Sequence, residues 1–215
     1  MGSKNQSDSQ KRTFVDEARR AQLIQCTIDA IDEVGYKHAT LTEIANRAGI
    51  TKGAIFYHFA NREELMNAAF MHVVNAGGEF ILAGVRAAGD NPRAQLRAYL
   101  GSFVASLRVD PRAIRVLFVI MRNLADENHG KHWTPEAFAL QEAAVAPLED
   151  ILRRGQEAGE FGQFDVRSMA LMIRGTTETI PPYLEAYPNL DPEEYGRDLM
   201  LFIERACGVP RPQRP

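Results

Sequence analysis

The clearest pattern along the chain is the recurrence of apolar residues at spacings of three and four. Between Leu23 and Val34 this spacing predicts an amphipathic helix that starts near Val15, and Gly35 predicts its end. Equivalent patterns predict further helices at roughly 41–48, 52–58, 62–88, 92–108, 111–127, 135–156, 166–184 and 192–207. No segment alternates apolar and polar residues over the length of a strand. The pattern therefore predicts an all-α fold.

Prolines support the predicted starts of the later helices. Proline suits the first turn of a helix because a backbone N–H in that turn has no helical partner. Four prolines stand where such a turn is expected: Pro92, Pro111, Pro135 and Pro192. At the other end of the chain, residues 1–13 are mostly polar, and we expect them to form a disordered arm.

Residues 40–59 carry a helix-turn-helix pattern. Thr40 with Glu43 three residues later predicts a capping box at the start of one short helix. Gly49 predicts a left-handed turn, and Thr51 is suited to cap a second short helix. The small Ala45 allows the two helices to cross closely. Apolar residues are expected to bury the inner faces of the pair: Ile44, Ala48, Ile50, Ile55 and Phe59.

The second short helix would present a different set of residues outward. These are Lys52, Gly53, Ala54, Tyr57 and His58. Small residues between polar ones let a helix lie deep in the major groove of DNA. Lys52, Tyr57 and His58 can donate hydrogen bonds to bases or phosphates. This face predicts binding to double-stranded DNA.

The distribution of charge is compatible with DNA contact at one end of the chain. The net formal charge is −3 over 215 residues. Residues 1–62 hold nine Lys and Arg against seven Asp and Glu, a net charge of +2, so the remainder carries −5. A slightly basic segment joined to a more acidic body is typical of a protein that touches DNA through one domain.

The residues around the helix-turn-helix carry a more specific signal. The run Val34-Gly35-Tyr36, the stretch from Ala39 to Phe59, and Asn61-Arg-Glu-Glu-Leu65 together resemble the TetR family of transcriptional regulators. The resemblance covers about residues 15–70. It implies an N-terminal three-helix DNA-binding domain and a C-terminal helical domain for ligand binding and dimerisation. We place these domains at 14–60 and 61–215, and expect a cytoplasmic bacterial homodimer that leaves a palindromic operator when a small effector binds.

The resemblance also implies which positions contact DNA. Arg62 matches a family position that usually holds a phosphate-binding lysine, at the start of a helix, where phosphate is favoured. Phe56 stands where the family usually has tyrosine, which puts the contact of that hydroxyl in doubt. The other implied contacts are Thr40, Thr42, Thr51, Lys52, Gly53, Ala54, Tyr57 and His58.

The last two predicted helices carry apolar stripes that fit either a core or a subunit interface. The family's usual dimer, a four-helix bundle built from these helices, favours the interface. The residues assigned to it are Met169, Ile173, Thr177, Ile180, Tyr195, Leu199, Phe202 and Ala206.

An effector pocket is expected among the helices between about 80 and 178. Its candidate residues fit core packing as well as pocket lining, and their composition favours an apolar or amphipathic ligand over a highly charged one. They are Phe103, Leu107, Phe118, Met121, Arg122, Trp133, Phe138 and Met172.

Two other functional classes fit the sequence less well than a DNA-binding regulator. For an enzyme, the sequence lacks a glycine-rich phosphate loop, a Gly-x-Ser-x-Gly motif and clustered Cys and His, so no cofactor or metal is expected. For a protein-binding helical module, the face at 52–58 would be expected to expose more Leu, Met or Phe.

The sequence contains no run of 18 apolar residues, so no membrane-spanning helix is expected. No signal peptide is expected either. Repression is the predicted effect on transcription, although DNA contact fits an activator as well.

Overall fold

The computed structural model describes residues 3–127, 135–187 and 189–208, and within these ranges the chain is helical without strands. The predicted all-α fold is therefore confirmed for the part described. The helices are α1 (Ser3–Val34), α2 (Leu41–Ala48), α3 (Lys52–Ile55), α4 (Arg62–Ala87), α5 (Pro92–Val109), α6 (Pro111–Glu127), α7 (Pro135–Glu157), α8 (Val166–Ala186) and α9 (Pro192–Ala206).

The first helix is longer than its apolar pattern predicts. It begins at Ser3 rather than near Val15, so helix occupies residues 3–13 of the segment expected to be a disordered arm (1–13). No glycine or proline occurs between Ser3 and Val34, and nothing in the backbone therefore stops the helix from continuing toward the N-terminus.

The chain divides into two compact units, and the division differs from the predicted boundary at residue 60. The first unit comprises Met1–Val74 and Val116–Glu127, and the second comprises Asn75–Arg115 and Asn128–Pro215. The early turns of α4 belong to the first unit because Leu65, Met66 and Ala69 are fully buried there. Helices α4 and α6 each contribute residues to both units.

A compact apolar core holds α1, α2 and α3 together in the first unit. Leu23, Ile44, Ile55 and Phe59 are almost completely buried. Thr27 is also buried, and its hydroxyl donates to the Leu23 carbonyl at 2.8 Å, which satisfies its polar group within α1.

The second unit contains a larger core built by α5, α7, α8 and α9. Helix α5 packs against α7 and α9, and α7 packs against α8. Leu100, Leu148, Leu152 and Ile173 are among its fully buried members. Phe103, Leu107 and Ile180 form a separate smaller cluster, flanked by half-buried apolar residues that include Tyr195.

Helix α4 qualifies by length and composition as a membrane span, although no span was expected from the sequence. It has 26 residues, and its most apolar window has a mean hydropathy of 1.3. It is the one helix of that kind among the described ranges. Such a helix is weak evidence for a span, because helices of water-soluble proteins also meet these criteria.

Cys207 provides a probe of the second core. Its side chain is fully buried, and desolvation, with a smaller effect of the Glu204 carboxylate, raises the pKa of its thiol to about 11. The reactive species is the thiolate, which at pH 8 would be about 0.1% of such a thiol. In a Cys26→Ser background, we expect Cys207 to react with a disulfide reagent at least about 200-fold more slowly than free cysteine at pH 8, because its thiolate fraction alone is lower by about that factor. Rapid reaction without urea would contradict this packing, and reaction in urea is the positive control.

Candidate nucleic-acid interface

The chain forms the helix-turn-helix with local signals that the sequence contains. Thr40 caps α2 in an extended conformation, and its hydroxyl accepts a hydrogen bond from the Glu43 N–H at 3.2 Å. Gly49 ends α2 with φ of 67°, a left-handed conformation that glycine adopts without a steric penalty. Thr51 then caps α3 by accepting from the Ala54 N–H at 3.3 Å.

The predicted capping box is only half present. The Glu43 carboxylate accepts from Arg47 Nε at 2.8 Å, and the Thr40 N–H donates to the His38 carbonyl at 2.7 Å. Arg47 also reaches Glu33 of α1 at 2.7 Å, an ion pair that raises the pKa of the Arg47 guanidinium. The Glu43 carboxylate therefore pairs with Arg47 of the same helix rather than with the Thr40 N–H.

Helix α3 is shorter than the predicted 52–58. Regular helix covers Lys52–Ile55, and residues 56–58 continue as turns. The Tyr57 and His58 N–H groups donate to carbonyls three residues earlier, at 3.3 and 2.9 Å. Such bonds are those of a tighter 3₁₀ turn, and the Phe59 side chain that follows the turn is buried.

The residues of this segment separate cleanly into an inner and an outer set. Ile55 and Phe59 are 0% and 1% exposed. Tyr57 is 77% exposed and Phe56 is 50% exposed, while Lys52 and Gly53 also lie on the surface. The exposed side of the segment therefore carries the Lys52 cation, the Gly53 backbone, which has no side chain over it, and two aromatic rings.

The other residues predicted to contact DNA differ in how exposed they are. Thr40, Thr42 and Thr51 are exposed, whereas Ala54 and His58 are half-buried. The Tyr57 and His58 rings meet edge to face, with centroids 5.0 Å apart. We refer below to Thr40, Thr42, Thr51, Lys52, Gly53, Phe56 and Tyr57 as the outer surface of the helix-turn-helix.

Arg62 is engaged within the chain. Its guanidinium donates to the carbonyls of Tyr36 and Ala39 at 2.6 and 3.3 Å and stacks over the Tyr36 ring at 4.4 Å. It thereby ties the start of α4 to the turn between α1 and α2. The predicted phosphate contact of Arg62 stays a prediction.

Residues 52–58 are called the recognition segment below, and Arg20 contacts the end of this segment. Its guanidinium lies 4.1 Å from the centre of the Phe59 ring, donates to the His58 carbonyl and pairs with Glu64 at 3.4 Å. This contact of Arg20 was not predicted from the sequence. No local signal links it to residues about forty positions away, because the contact depends on how α1 packs.

We expect Arg20→Met to lower the free energy of unfolding of the chain by about 1 kcal/mol, because a charge-assisted hydrogen bond and a cation–π contact are lost at a partly exposed site. DNA affinity should fall with it, since the end of the recognition segment loosens. Urea unfolding and DNA binding measure the two effects. Arg19→Met is the matched control, because Arg19 bonds only to the nearby Gln22 among the contacts described. Equal effects of the two variants would contradict the positioning role of Arg20.

The apolar stripes assigned to a dimer interface are mostly internal. Met169, Ile173, Thr177, Ile180 and Leu199 are buried within the second unit, so they cannot face a partner. Tyr195 is half-buried, and its hydroxyl donates to the Thr176 carbonyl at 3.0 Å. Of the residues assigned, only Phe202 and Ala206 lie on the surface.

The same two helices also expose large apolar side chains. Phe202 is 64% exposed on α9, and Met172 is 57% exposed on α8. We call this set the outer stripe: Leu171, Met172 and Tyr183 of α8, with Leu201 and Phe202 of α9. Of this set, only Phe202 was among the predicted interface residues, because both faces of α8 are apolar and the pattern does not say which one the rest of the chain covers.

The residues predicted to line an effector pocket do not form one group. Phe103 and Leu107 lie together in the smaller apolar cluster of the second unit. Phe118 is half-buried, whereas Met121 and Arg122 are exposed on α6. Met172 belongs to the outer stripe and cannot line an internal pocket. Trp133 and the side chain of Phe138 lie outside the described residues.

The described residues bring no three His, Cys, Asp or Glu side chains together in a way that would hold a metal ion. A shallow depression lies at the start of α5, lined by Asn91, Arg93, Gly159 and Glu160. The Glu160 carboxylate accepts from the Arg93 N–H at 3.1 Å there and so acts as a cap for α5. None of these residues was predicted to bind the effector.

Together, the capped helices, the left-handed turn and the outer surface define a helix-turn-helix protein. Comparison with known families makes the assignment specific. The model of the bacterial regulatory proteins of the tetR family matches residues 23–69, and that of the tetracyclin repressor-like C-terminal domain matches residues 89–202. The second match alone spans more than half of the chain, which therefore belongs to the TetR family. Membership in a family of regulators also argues against the enzyme alternative.

Individual relatives agree with this assignment. The HTH-type transcriptional regulator BetI of Stenotrophomonas maltophilia is 35% identical over 102 residues, which are 47% of this chain and 52% of the relative. BetI of Burkholderia thailandensis is 38% identical over 86 residues, 40% of this chain and 44% of that protein. The chain thus matches about half the length of these curated relatives.

Solved structures show the same fold at low identity. The fatty acid degradation regulator FadR from Bacillus halodurans superposes with a TM-score of 0.70 at 22% identity, covering 86% of this chain and 94% of that one. The TetR family transcriptional regulator PfmR from Thermus thermophilus has a TM-score of 0.62 at 21% identity, with coverages of 85% and 97%.

Proposed function

We propose that this protein is a homodimeric transcriptional repressor that binds a palindromic DNA operator and is released from it by a small apolar or amphipathic molecule. The observation that carries the proposal is the outer surface of the helix-turn-helix. Lys52, Gly53 and Tyr57 are exposed there, while Ile55 and Phe59 fix the segment from inside. A short helix so anchored can enter the major groove with its N-terminal residues at the base edges.

Dimerisation follows from the requirements of an operator with two half-sites. Two recognition segments must be presented about 34–36 Å apart, one turn of B-DNA, and a two-fold symmetric dimer does this with identical subunits. The outer stripe on α8 and α9 is the surface we assign to that dimer. Exposed large apolar side chains are costly on a monomer and are typical of subunit contacts.

Effector binding is assigned to the second unit. Phe103, Leu107 and Ile180 form an apolar cluster there, separate from the main core, and Tyr195 flanks it with a polar hydroxyl. This composition suits an apolar or amphipathic ligand. FadR of Bacillus halodurans, a structural relative, is described as a regulator of fatty acid degradation. The low identity limits that likeness to the fold.

Release requires that the ligand favour one conformation over another. Helix α4 runs without interruption from Arg62, beside the helix-turn-helix, into the second unit. A ligand that binds more tightly to a state with α4 displaced would move the recognition segments out of operator spacing. Equal affinity for both states would change nothing, however tight the binding.

The experiment has two stages. The full chain is first used to select sites from a randomised duplex library, and we expect a palindrome with half-sites one helical turn apart. Failure to enrich any duplex, even at low salt, would overturn the proposal. A panel of fatty acids and other amphipathic compounds is then titrated against the complex. A releasing compound must raise the dissociation constant for DNA, and DNA must weaken the compound's binding by the same factor. Independent binding of both would refute release.

Activation is the second candidate effect on transcription. The two effects are separated by fusing the selected site to a reporter gene. Expression that rises when the gene for this chain is deleted indicates repression, and expression that falls indicates activation.

A further inference from the structure

Phe56 is a large apolar side chain on the outer surface of the helix-turn-helix. It is 50% exposed, whereas Ile55 and Phe59 on the inner side of the segment are almost completely buried. Its backbone is helical, with φ of −66° and ψ of −10°, so its position relative to α3 is well defined. An exposed benzyl group at this place has no evident role in stabilising the fold.

The spacing of the segment puts Phe56 beside the residue best suited to touch DNA. Phe56 directly follows α3 and keeps helical φ and ψ, so it stands four residues after Lys52 at the spacing that brings two side chains to the same face of a helix. Gly53 adds no side chain to that face. A duplex approached by Lys52 is therefore approached by the Phe56 ring as well.

The chemistry of the ring limits what it can recognise. Phenylalanine has no hydrogen-bond donor, so it gains nothing from a phosphate oxygen. In the major groove, thymine alone among the four bases carries an apolar group, its 5-methyl, and apolar side chains contact it. We propose that Phe56 selects thymine at one position of each half-site through this methyl group. The proposal rests on the proposed function, since it requires binding to duplex DNA.

The test removes the methyl group without altering any base pair. In the site selected by the full chain, each thymine is replaced in turn by deoxyuridine, symmetrically in both half-sites. Burying one methyl group corresponds to about a fourfold change in affinity, so the symmetric pair should cost about 15-fold at one thymine position. Binding is measured by fluorescence anisotropy at a fixed salt concentration.

Variants show which side chain senses the methyl. Phe56→Ala should bind the thymine and deoxyuridine duplexes equally. Tyr57→Phe should keep the full 15-fold preference, because it alters only a hydroxyl on the neighbouring ring. Phe80→Ala is the matched control, since it removes a benzyl group that is 41% exposed on α4.

The outcomes are distinct. A selected site that tolerates deoxyuridine at every position overturns the role of Phe56 and leaves DNA binding intact, and this result needs no variant. An equal deoxyuridine effect in wild type and Phe56→Ala overturns it too, by showing that another group reads the methyl. If no duplex is selected at all, the proposed function fails, and the role of Phe56 fails with it.

Discussion

Lys52→Ala is expected to weaken operator binding by about 100-fold. Lys52 is the exposed cation at the start of α3, where a helix in the major groove meets bases and phosphates. One such contact contributes about 1.5 kcal/mol, and a symmetric dimer makes it twice, which gives about 3 kcal/mol. The loss is measured by anisotropy titration on the selected site.

The salt dependence and sequence preference of Lys52→Ala identify the group that Lys52 contacts. A phosphate contact predicts uniform weakening on all duplexes and a shallower dependence of the binding constant on salt. A base contact predicts relaxed specificity at one position of each half-site. Arg153→Ala on α7 is the control, because it removes the same charge from an exposed position in the second unit. Wild-type affinity in Lys52→Ala would contradict the assignment of α3 as the recognition helix.

Phe202→Glu is expected to dissociate the dimer and to abolish high-affinity operator binding. Phe202 is 64% exposed at the outer stripe, and an aromatic anchor at an interface contributes about 2 kcal/mol. A two-fold interface contains it twice, so the dimer dissociation constant should rise by about 1,000-fold or more. Sedimentation equilibrium should show a species near the 24.0 kDa subunit mass at micromolar concentration.

Two further variants distinguish the outer stripe from the interface that the family resemblance favoured. Val109→Glu introduces the same charge at an exposed apolar position on α5 and should leave the dimer intact. Ile173→Ala should lower the free energy of unfolding by about 2–4 kcal/mol without dissociating the folded dimer, because Ile173 is fully buried in its own subunit. A Phe202→Glu variant that stays dimeric would contradict the assignment of this surface.

The contacts of Arg62 and Arg20 show which features of the candidate site could not be predicted from the sequence. Thr40, Gly49 and Thr51 act within a few residues of their own positions, and the structure shows the caps and the turn that they predict. Arg62 and Arg20 behave differently, since each contacts residues far away in the sequence. An arginine side chain is long enough to contact either a DNA phosphate or a carbonyl of its own chain. Which of the two it contacts depends on the packing of α1 against α3 and α4.

The sequence by itself determined the helices and the helix-turn-helix, because periodicity, first-turn prolines and left-handed glycines act over one or two turns of backbone. The tertiary structure alone decided which apolar face of α8 became core and which became the outer stripe. Both faces bear large apolar side chains, and only the burial of Met169 and Ile173 within the second core leaves Met172 and Tyr183 outside. Burial is a property of all the helices together, and no single helix encodes it.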